Sequence, residues 1–307
     1  MAVGSGQCDI VIAGGVESMS VVPMFSNFAS SKFGAPLTPS LQKKFNTPGE
    51  PYFSQFTAAE LMCKTFEITR EECDAFAQRS HRLAAASLET RRFRDEITPV
   101  RVESNEGGKS ALFEVDDGVR GDTTAEGLAG LQTLVEMGVC SAPAGCDPGG
   151  VITAGNASQM SDGASALLVC SEEGLKKMGN DVVPMAVIRS NAVAANDPVL
   201  MLSAPAPATR MLLDREGLSV DDVDLFEVNE AFACVPLAWE KTVGSDPDKL
   251  NVNGGAIALG HPLGATGGKL MTALTYELGR QKKKYGVLAI CEGGGTANAT
   301  LIENLQL

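Results

Sequence analysis

Histidine is almost missing from this chain: two residues in 307. Imidazole chemistry near neutral pH is therefore confined to His81 or His261. Eight cysteines are present, but none stand in C-x-x-C spacing, so neither a zinc site nor a disulfide framework is indicated and a reducing compartment is expected. Basic residues are also short, 25 Lys and Arg against 38 Asp and Glu, a net charge of −13. That balance excludes nucleic acid as a natural partner, because neutralising phosphates takes clustered cations. The run Lys282-Lys283-Lys284 does not reverse it; it follows a helical pattern and reads as a complement to a helix C-terminus. No stretch approaches the ~18–20 apolar residues of a membrane span. The opening MAVGSGQCDIVIAGG lacks the basic start and apolar run of a signal peptide, so a cytoplasmic location is expected.

What is present is glycine in two concentrated places. NVNGGAIALGHPLGATG (251–267) sets His261 in a glycine-rich turn, and CEGGG (291–295) sets Cys291 at the mouth of another. Glycines let backbone N–H groups approach a ligand closely, and a helix opening after the first turn points its positive end at whatever binds. Imidazole near thiol is a constellation for making a nucleophile or moving a proton. Cys291, at a strand end before Gly293-Gly294-Gly295, is displayed at a turn, where a thiol can act as acid or base and glycine N–H groups can meet developing negative charge.

The patterning alternates strands and helices, which argues for a layered α/β protein. DIVIA (9–13), ended by Gly14-Gly15, reads as a buried strand. Four regions are expected: residues 1–20, a first strand; 21–150, an inserted block, helical and irregular rather than sheet; 151–182, strands closing the first half; and 183–307, a second α/β half. Within the block, residues 23–56 read as loop and 57–93 as two helices, the second capped by Thr69-Arg-Glu-Glu. Residues 151–170 read as two strand-like runs around a polar turn. Beyond 183 come a strand at PMAVIRSNAVAA, a helix from Ala206 to Glu216, strand–turn–helix at VDLFEVNEAFA, a helix after the His261 turn, and two closing strands. A weak internal echo links VLAICEGGG with IVIAGGVES; duplicated halves predict a glycine turn and helix ahead of residue 8.

Asn229 and Glu230 fall at a strand's C-terminal end, the usual ligand position in open α/β sheets, although Asn229 could instead cap the following helix. Asn156 and Ser158 in TAGNASQMSDGAS read on their own as turn residues.

GGVESMS (14–20), TAGNASQMSDGA (153–164), EVNEAFA (227–233), NVNGGAIALGHPLGATG and CEGGG, in this order, resemble the motif set of the thiolases, the acetyl-CoA acetyltransferases and 3-ketoacyl-CoA thiolases. FTAAE (56–60) and DAFAQRSH (74–81) in the helical block extend the likeness over the whole chain. CEGGG and FNTPGEP (45–51) are closer to the forms of bacterial lipid and sterol breakdown than to the biosynthetic ones.

The resemblance implies a thiolase-like layered α/β/α fold and an acyl-CoA C-acyltransferase of lipid metabolism. Such an enzyme performs Claisen condensation of acyl-CoA, or thiolytic cleavage of a 3-ketoacyl-CoA. By similarity His261 activates a cysteine nucleophile and hydrogen-bonds the thioester oxygen, and Asn229 holds a water completing that oxyanion hole. Cys291 is the general acid and base, the Gly293 N–H serves a second oxyanion hole, and Ser158 contacts the pantetheine arm. No metal or tightly bound cofactor is implied; coenzyme A is substrate and product, and a homodimer or homotetramer is expected. Gln55 and Phe56 depart from the string that many short-chain members carry there.

One departure is larger. The family's nucleophilic cysteine stands in a C-x-S-G-like turn on the order of 25 residues, one long helix, before GGVESMS. Here Gly14-Gly15 leave no room for it, and Cys8, at the start of the strand, is in the wrong place to substitute. The resemblance thus predicts a complete C-terminal half, and an N-terminal half lacking its first strands and the nucleophile helix. Three outcomes follow: an enzyme whose sequence continues ahead of Met1, an inactive CoA-binding relative, or a slow thioesterase built on Cys291 and His261. Missing strands also predict exposed apolar sheet surface.

Overall fold

A computed structural model describes residues 1–24, 26, 37–47, 53–103 and 110–307. In chain order its elements are β1 (Ile10–Ser18), α1 (Pro39–Lys44), α2 (Gln55–Thr65), α3 (Arg70–Glu89), β2 (Val100–Glu103), β3 (Ser110–Phe113), α4 (Ala125–Ala129), β4 (Asp162–Cys170) and α5 (Glu172–Met178). They continue with β5 (Ala186–Ala195), α6 (Pro205–Glu216), β6 (Leu225–Val228), α7 (Cys234–Val243), α8 (Ala256–Leu259), α9 (Leu263–Gln281), β7 (Tyr285–Cys291) and β8 (Thr296–Asn304).

The organising unit is a four-stranded sheet in the order β5-β8-β7-β6, antiparallel except for the β6–β7 pair. Side chains along a strand alternate between faces, and the core divides accordingly. Phe226, Val228, Val287, Ala289, Ala297, Ala299 and Leu301 join one cluster with Leu212 and Leu213 of α6. Leu225, Leu288 and Ile302 join the other with Leu270, Leu274 and Leu278 of α9. Those three leucines recur every fourth residue, one stripe of a helix, and each contributes about 1.5–3 kcal/mol by burial. Helices α6 and α9 therefore sandwich the sheet, and α9 turns its other side to the antiparallel pair β1–β4. This is the layered α/β arrangement expected from the motifs.

The meeting of β1 with α9 is close. A Cβ on Gly15 would fall onto the Gly264 carbonyl, and one on Gly264 onto Val16 O. Ser165 on β4 donates to Ala265 O at 2.7 Å.

Three expectations need correction. The strand at 9–13 is not buried: among the described residues β1 pairs only with β4, and Ile12 and Val16 are 76% and 71% exposed. With Ile10 and Leu168 they form one apolar face, opposite the face turned to α9. Second, the 21–150 block does contain sheet, the exposed hairpin β2–β3, formed where Val-Arg-Val-Glu meets Ser-Ala-Leu-Phe. Third, residues 151–161 are not a strand run. Side chains replace the ladder there, leaving isolated bridges at Thr153 and Ala157. Asn156 accepts from Thr153 N at 2.9 Å and donates to Asp74 at 2.9 Å and Val151 O at 3.2 Å.

The helices of the block form where expected. Thr69 and Glu72 exchange both bonds of a capping box at the start of α3, at 3.2 and 2.7 Å. Residues 25, 27–36 and 48–52, part of the loop passage and most of FNTPGEP, lie outside the described residues.

Candidate active site

Strand β6 leads into the first candidate side chain. Its last residue, Val228, is held on both backbone groups by the Asn251 side chain, at 2.8 and 2.9 Å. The next residue, Asn229, ties back to β7 through its N–H on Ala289 O at 3.0 Å. Helix α7 starts only at Cys234, so Asn229 is not its cap. The side chain is buried and free for the site.

The neighbouring Glu230 works structurally. Its buried carboxylate accepts from Ser80 Oγ (2.7 Å), Asn251 Nδ2 (2.9 Å) and Ile257 N (3.1 Å). That last bond fixes the start of α8, and a Cβ on Gly255 would collide with the same carboxylate. Burial raises the Glu230 pKa, and its three donors oppose that shift.

After α8 the chain turns at Gly260, whose φ of +83° suits glycine and where a Cβ would strike Ser161. His261 follows, its N–H bonded to Gln159 O at 3.2 Å, and Pro262 caps α9. The imidazole is held at both nitrogens. Nδ1 lies 2.7 Å from Thr266 Oγ1, and Asn229 Nδ2 lies 3.2 Å from Nε2. Thr266 gives its single hydroxyl proton to Pro262 O at 2.8 Å, so it accepts from the ring. Nδ1 therefore carries the proton, and Nε2 presents a lone pair toward Asn229. Burial, with the Lys269 cation, pushes the His261 pKa down to about 4. The ring rests neutral, with Nε2 available as a base.

Cys291 closes β7, and burial pushes its thiol up to about 11, so it rests protonated. The Asn229 amide donates toward it and works in the opposite direction. One amide thus serves both the imidazole and the thiol. Its own carbonyl oxygen, Asn229 Oδ1, is buried with no hydrogen-bond partner among the described residues. An orphaned acceptor of this kind costs about 1–3 kcal/mol until something donates to it.

Gly293 follows in the turn, and nothing stands within 4 Å of where its Cβ would lie, so the backbone there is open. Gly295, at φ +85°, is by contrast packed against Asn196, Asp197 and Pro198. Ser158 bonds its N–H to Ala231 O at 3.0 Å, two residues beyond Asn229. Beside it Gln159, with Ile257, His81, Arg120 and Asp122, lines a cavity of about 250 Å³. Gln159 Nε2 donates to Gly118 O and Ile257 O, both at 2.8 Å. The second histidine, His81, accepts from Arg120 N at 3.1 Å through Nδ1, and burial followed by the Arg120 charge lowers its pKa.

Of the residues singled out in the sequence, His261, Asn229 and Cys291 converge on one amide, with Gly293 two residues beyond the thiol. Ser158 and Asn156 belong to the segment that walls the site. Cys8 lies ahead of β1, whose contact with the start of α9 is made at Gly15 and Val16. Four contributors escaped the sequence reading: Thr266, Gln159, Glu60 and Lys269. Glu60 on α2 accepts from Val151 N and Ile152 N and so anchors the TAGNAS segment; its position inside FTAAE was the available signal.

Among the described residues no group of three or more His, Cys, Asp or Glu could hold a metal ion, and no helix is long and apolar enough to cross a membrane.

Comparison with known proteins gives the family. The family description "Thiolase, N-terminal domain" matches residues 1–173, and "Thiolase, C-terminal domain" matches residues 182–304. A steroid 3-ketoacyl-CoA thiolase of Mycobacterium tuberculosis is 44% identical over 306 residues, which are 99% of this chain and 70% of that protein. A 3-ketoacyl-CoA thiolase of Bacillus subtilis is 40% identical over 305 residues, 97% of this chain and 72% of its own length. The crystal structure of the Bacillus anthracis acetyl-CoA acetyltransferase superposes with a TM-score of 0.83 at 37% identity, covering 99% of this chain and 74% of that one. Both domain matches and the identities over nearly the whole chain show that this chain belongs to the thiolase family of acyltransferases.

Proposed function

We propose that this chain carries the proton-handling half of a thiolase site acting on acyl-CoA, with coenzyme A as substrate or product. The observation that carries the reading is the Asn229 amide, which faces both His261 Nε2 and the Cys291 thiol while its own carbonyl lacks a donor. A water donating to Asn229 Oδ1 would satisfy that oxygen and stand beside Nε2. Once Nε2 takes the proton of a nucleophilic thiol, the ring and the water together face the thioester oxygen as two donors. Preorganised donors of this kind supply ~3–4 kcal/mol each.

In the cleavage direction a cysteine thiolate adds to the keto carbon, and the bond to the α-carbon breaks. The electron pair left on that carbon takes the Cys291 proton, releasing acetyl-CoA. The Cys291 thiolate then removes the proton from incoming CoA, whose sulfur attacks the acyl-enzyme. A thiol that rests protonated suits the first of these steps. The open backbone at Gly293 would offer an N–H to the enolate oxygen, and Ser158, next to the cavity-lining Gln159, would contact the pantetheine arm.

Among the described residues the His261 ring bonds to Asn229 and Thr266, neither of them a thiol. That observation supports a second reading, a CoA-binding relative that does not turn over alone. We further propose a homo-oligomer, a cytoplasmic location, and substrates of lipid or sterol breakdown, the last supported by the mycobacterial relative's name. The test compares 3-ketoacyl-CoA cleavage by this chain and by the same chain preceded by a segment carrying a C-x-S-G turn and its helix. Turnover is expected only from the extended protein, falling about 10²–10⁴-fold in its Cys291→Ala variant. An extended protein indifferent to Cys291→Ala would overturn the reading.

A further inference from the structure

Lys269 stands on α9, two turns beyond His261, and is partly buried. Helical side chains lean toward the N-terminus, and this one reaches back to the end of α8. Its Nζ donates to Leu259 O at 2.8 Å and Gly260 O at 3.1 Å. Those are the two carbonyls immediately before His261. A four-residue helix leaves its last carbonyls without helical partners, and Lys269 is the donor to both among the described residues. The turn presenting the imidazole is thus gripped from behind by a cation.

The surroundings of that cation are acidic. Burial pulls the Lys269 pKa below its ordinary value, and the charges of Asp116, Glu227, Glu230 and Glu96 oppose that shift. Glu227 lies on the α9 side of β6, the same face as Leu225. Burial first, and then the Lys269 charge, work against protonation of the His261 ring.

We infer that Lys269 is a positioning residue for His261, clamping the turn through two carbonyls and adding its positive charge to burial in keeping the ring neutral. Binding by a neutral donor would hold the turn equally well, so charge and clamp can be separated. Glutamine keeps an N–H donor and loses the charge; arginine keeps both. The inference deepens the proposed role of His261. Its test involves no substrate, so it stands or falls independently of acyl transfer.

The experiment is an NMR pH titration of the histidine side chains, simple here because only His81 and His261 are present and His81→Asn assigns them. In the unaltered chain His261 is expected to titrate well below the ordinary value. Lys269→Gln should raise its proton affinity about tenfold, one pH unit, and Lys269→Arg should leave it unchanged. The inference is overturned if Lys269→Gln leaves the midpoint in place, or if Lys269→Arg moves it as far as glutamine does. Should the glutamine variant fail to fold, a His261 midpoint at or above the ordinary value in the unaltered chain overturns it equally.

Discussion

Asn229 and His261 are joined by one hydrogen bond, 3.2 Å from amide nitrogen to Nε2, and that bond sets the chemistry of the ring. With Nδ1 committed to Thr266, the imidazole is locked in the tautomer whose Nε2 can accept a proton. Glutamine or leucine at 229 would leave the ring without that restraint.

The depressed His261 pKa has a consequence for stability. In the unfolded chain this histidine takes a proton as pH falls below about 6.5, whereas in the fold it resists until about 4. Its contribution is therefore fully present above 6.5 and is lost as pH falls toward 4. Urea midpoints measured at pH 7 and pH 4.5 should differ less for His261→Asn than for the unaltered chain.

Glu277 ties α9 to the end of the helical block. Burial alone would raise its pKa, but hydrogen bonds from Arg92, Gln281, Asn253 and Arg280 outweigh it and hold the carboxyl at about 2. Arg92 and Arg280 both pair with it. Glu277→Ala leaves those cations facing an uncharged site and should cost about 3–5 kcal/mol, reduced by the partial exposure of both arginines. The carboxylate's contribution persists above pH 4.5 and fades as pH falls through about 2. Equilibrium unfolding at pH 7 checks the first statement.

Gly15→Ala places a methyl on the Gly264 carbonyl, where two backbones meet. Neither can yield without moving β1 off α9, so a loss of about 1–3 kcal/mol is expected. Alanine at Gly293, where space is open and φ is not positive, should cost far less. Thermal unfolding of the two variants side by side decides it.

Cys291 should alkylate slowly at neutral pH. With its thiol up at about 11, iodoacetamide labelling should rise about tenfold per pH unit from 7 to 10. Peptide mapping of labelled protein gives the rate. A Cys291 rate already at plateau by pH 8 would contradict the burial argument.

Much of this was legible beforehand. The leucine stripe of α9, the Thr69 capping box and the glycine turns at 260 and 294 are local chemistry, and local chemistry reads directly from sequence. His261, Asn229 and Cys291 were named because they sit beside such turns. The anchors were not legible. Glu60, Asp74, Ser80 and Gln159 matter because they satisfy backbone, amide or carboxylate groups 82 to 150 residues away in sequence. No periodicity encodes those pairings. Strand β1 misled for the opposite reason: an apolar string predicts burial, but burial is decided by which strands lie beside it.

The central proposal is that this chain holds the proton-handling groups of a thiolase and no nucleophile beside His261. Intact-mass measurement after incubation with acetyl-CoA tests it most directly. The expected result is an unmodified mass for this chain and an added acetyl group when the nucleophile-bearing segment precedes it. An acetyl group mapped to a cysteine of the 307-residue chain, Cys291 above all, would contradict the account.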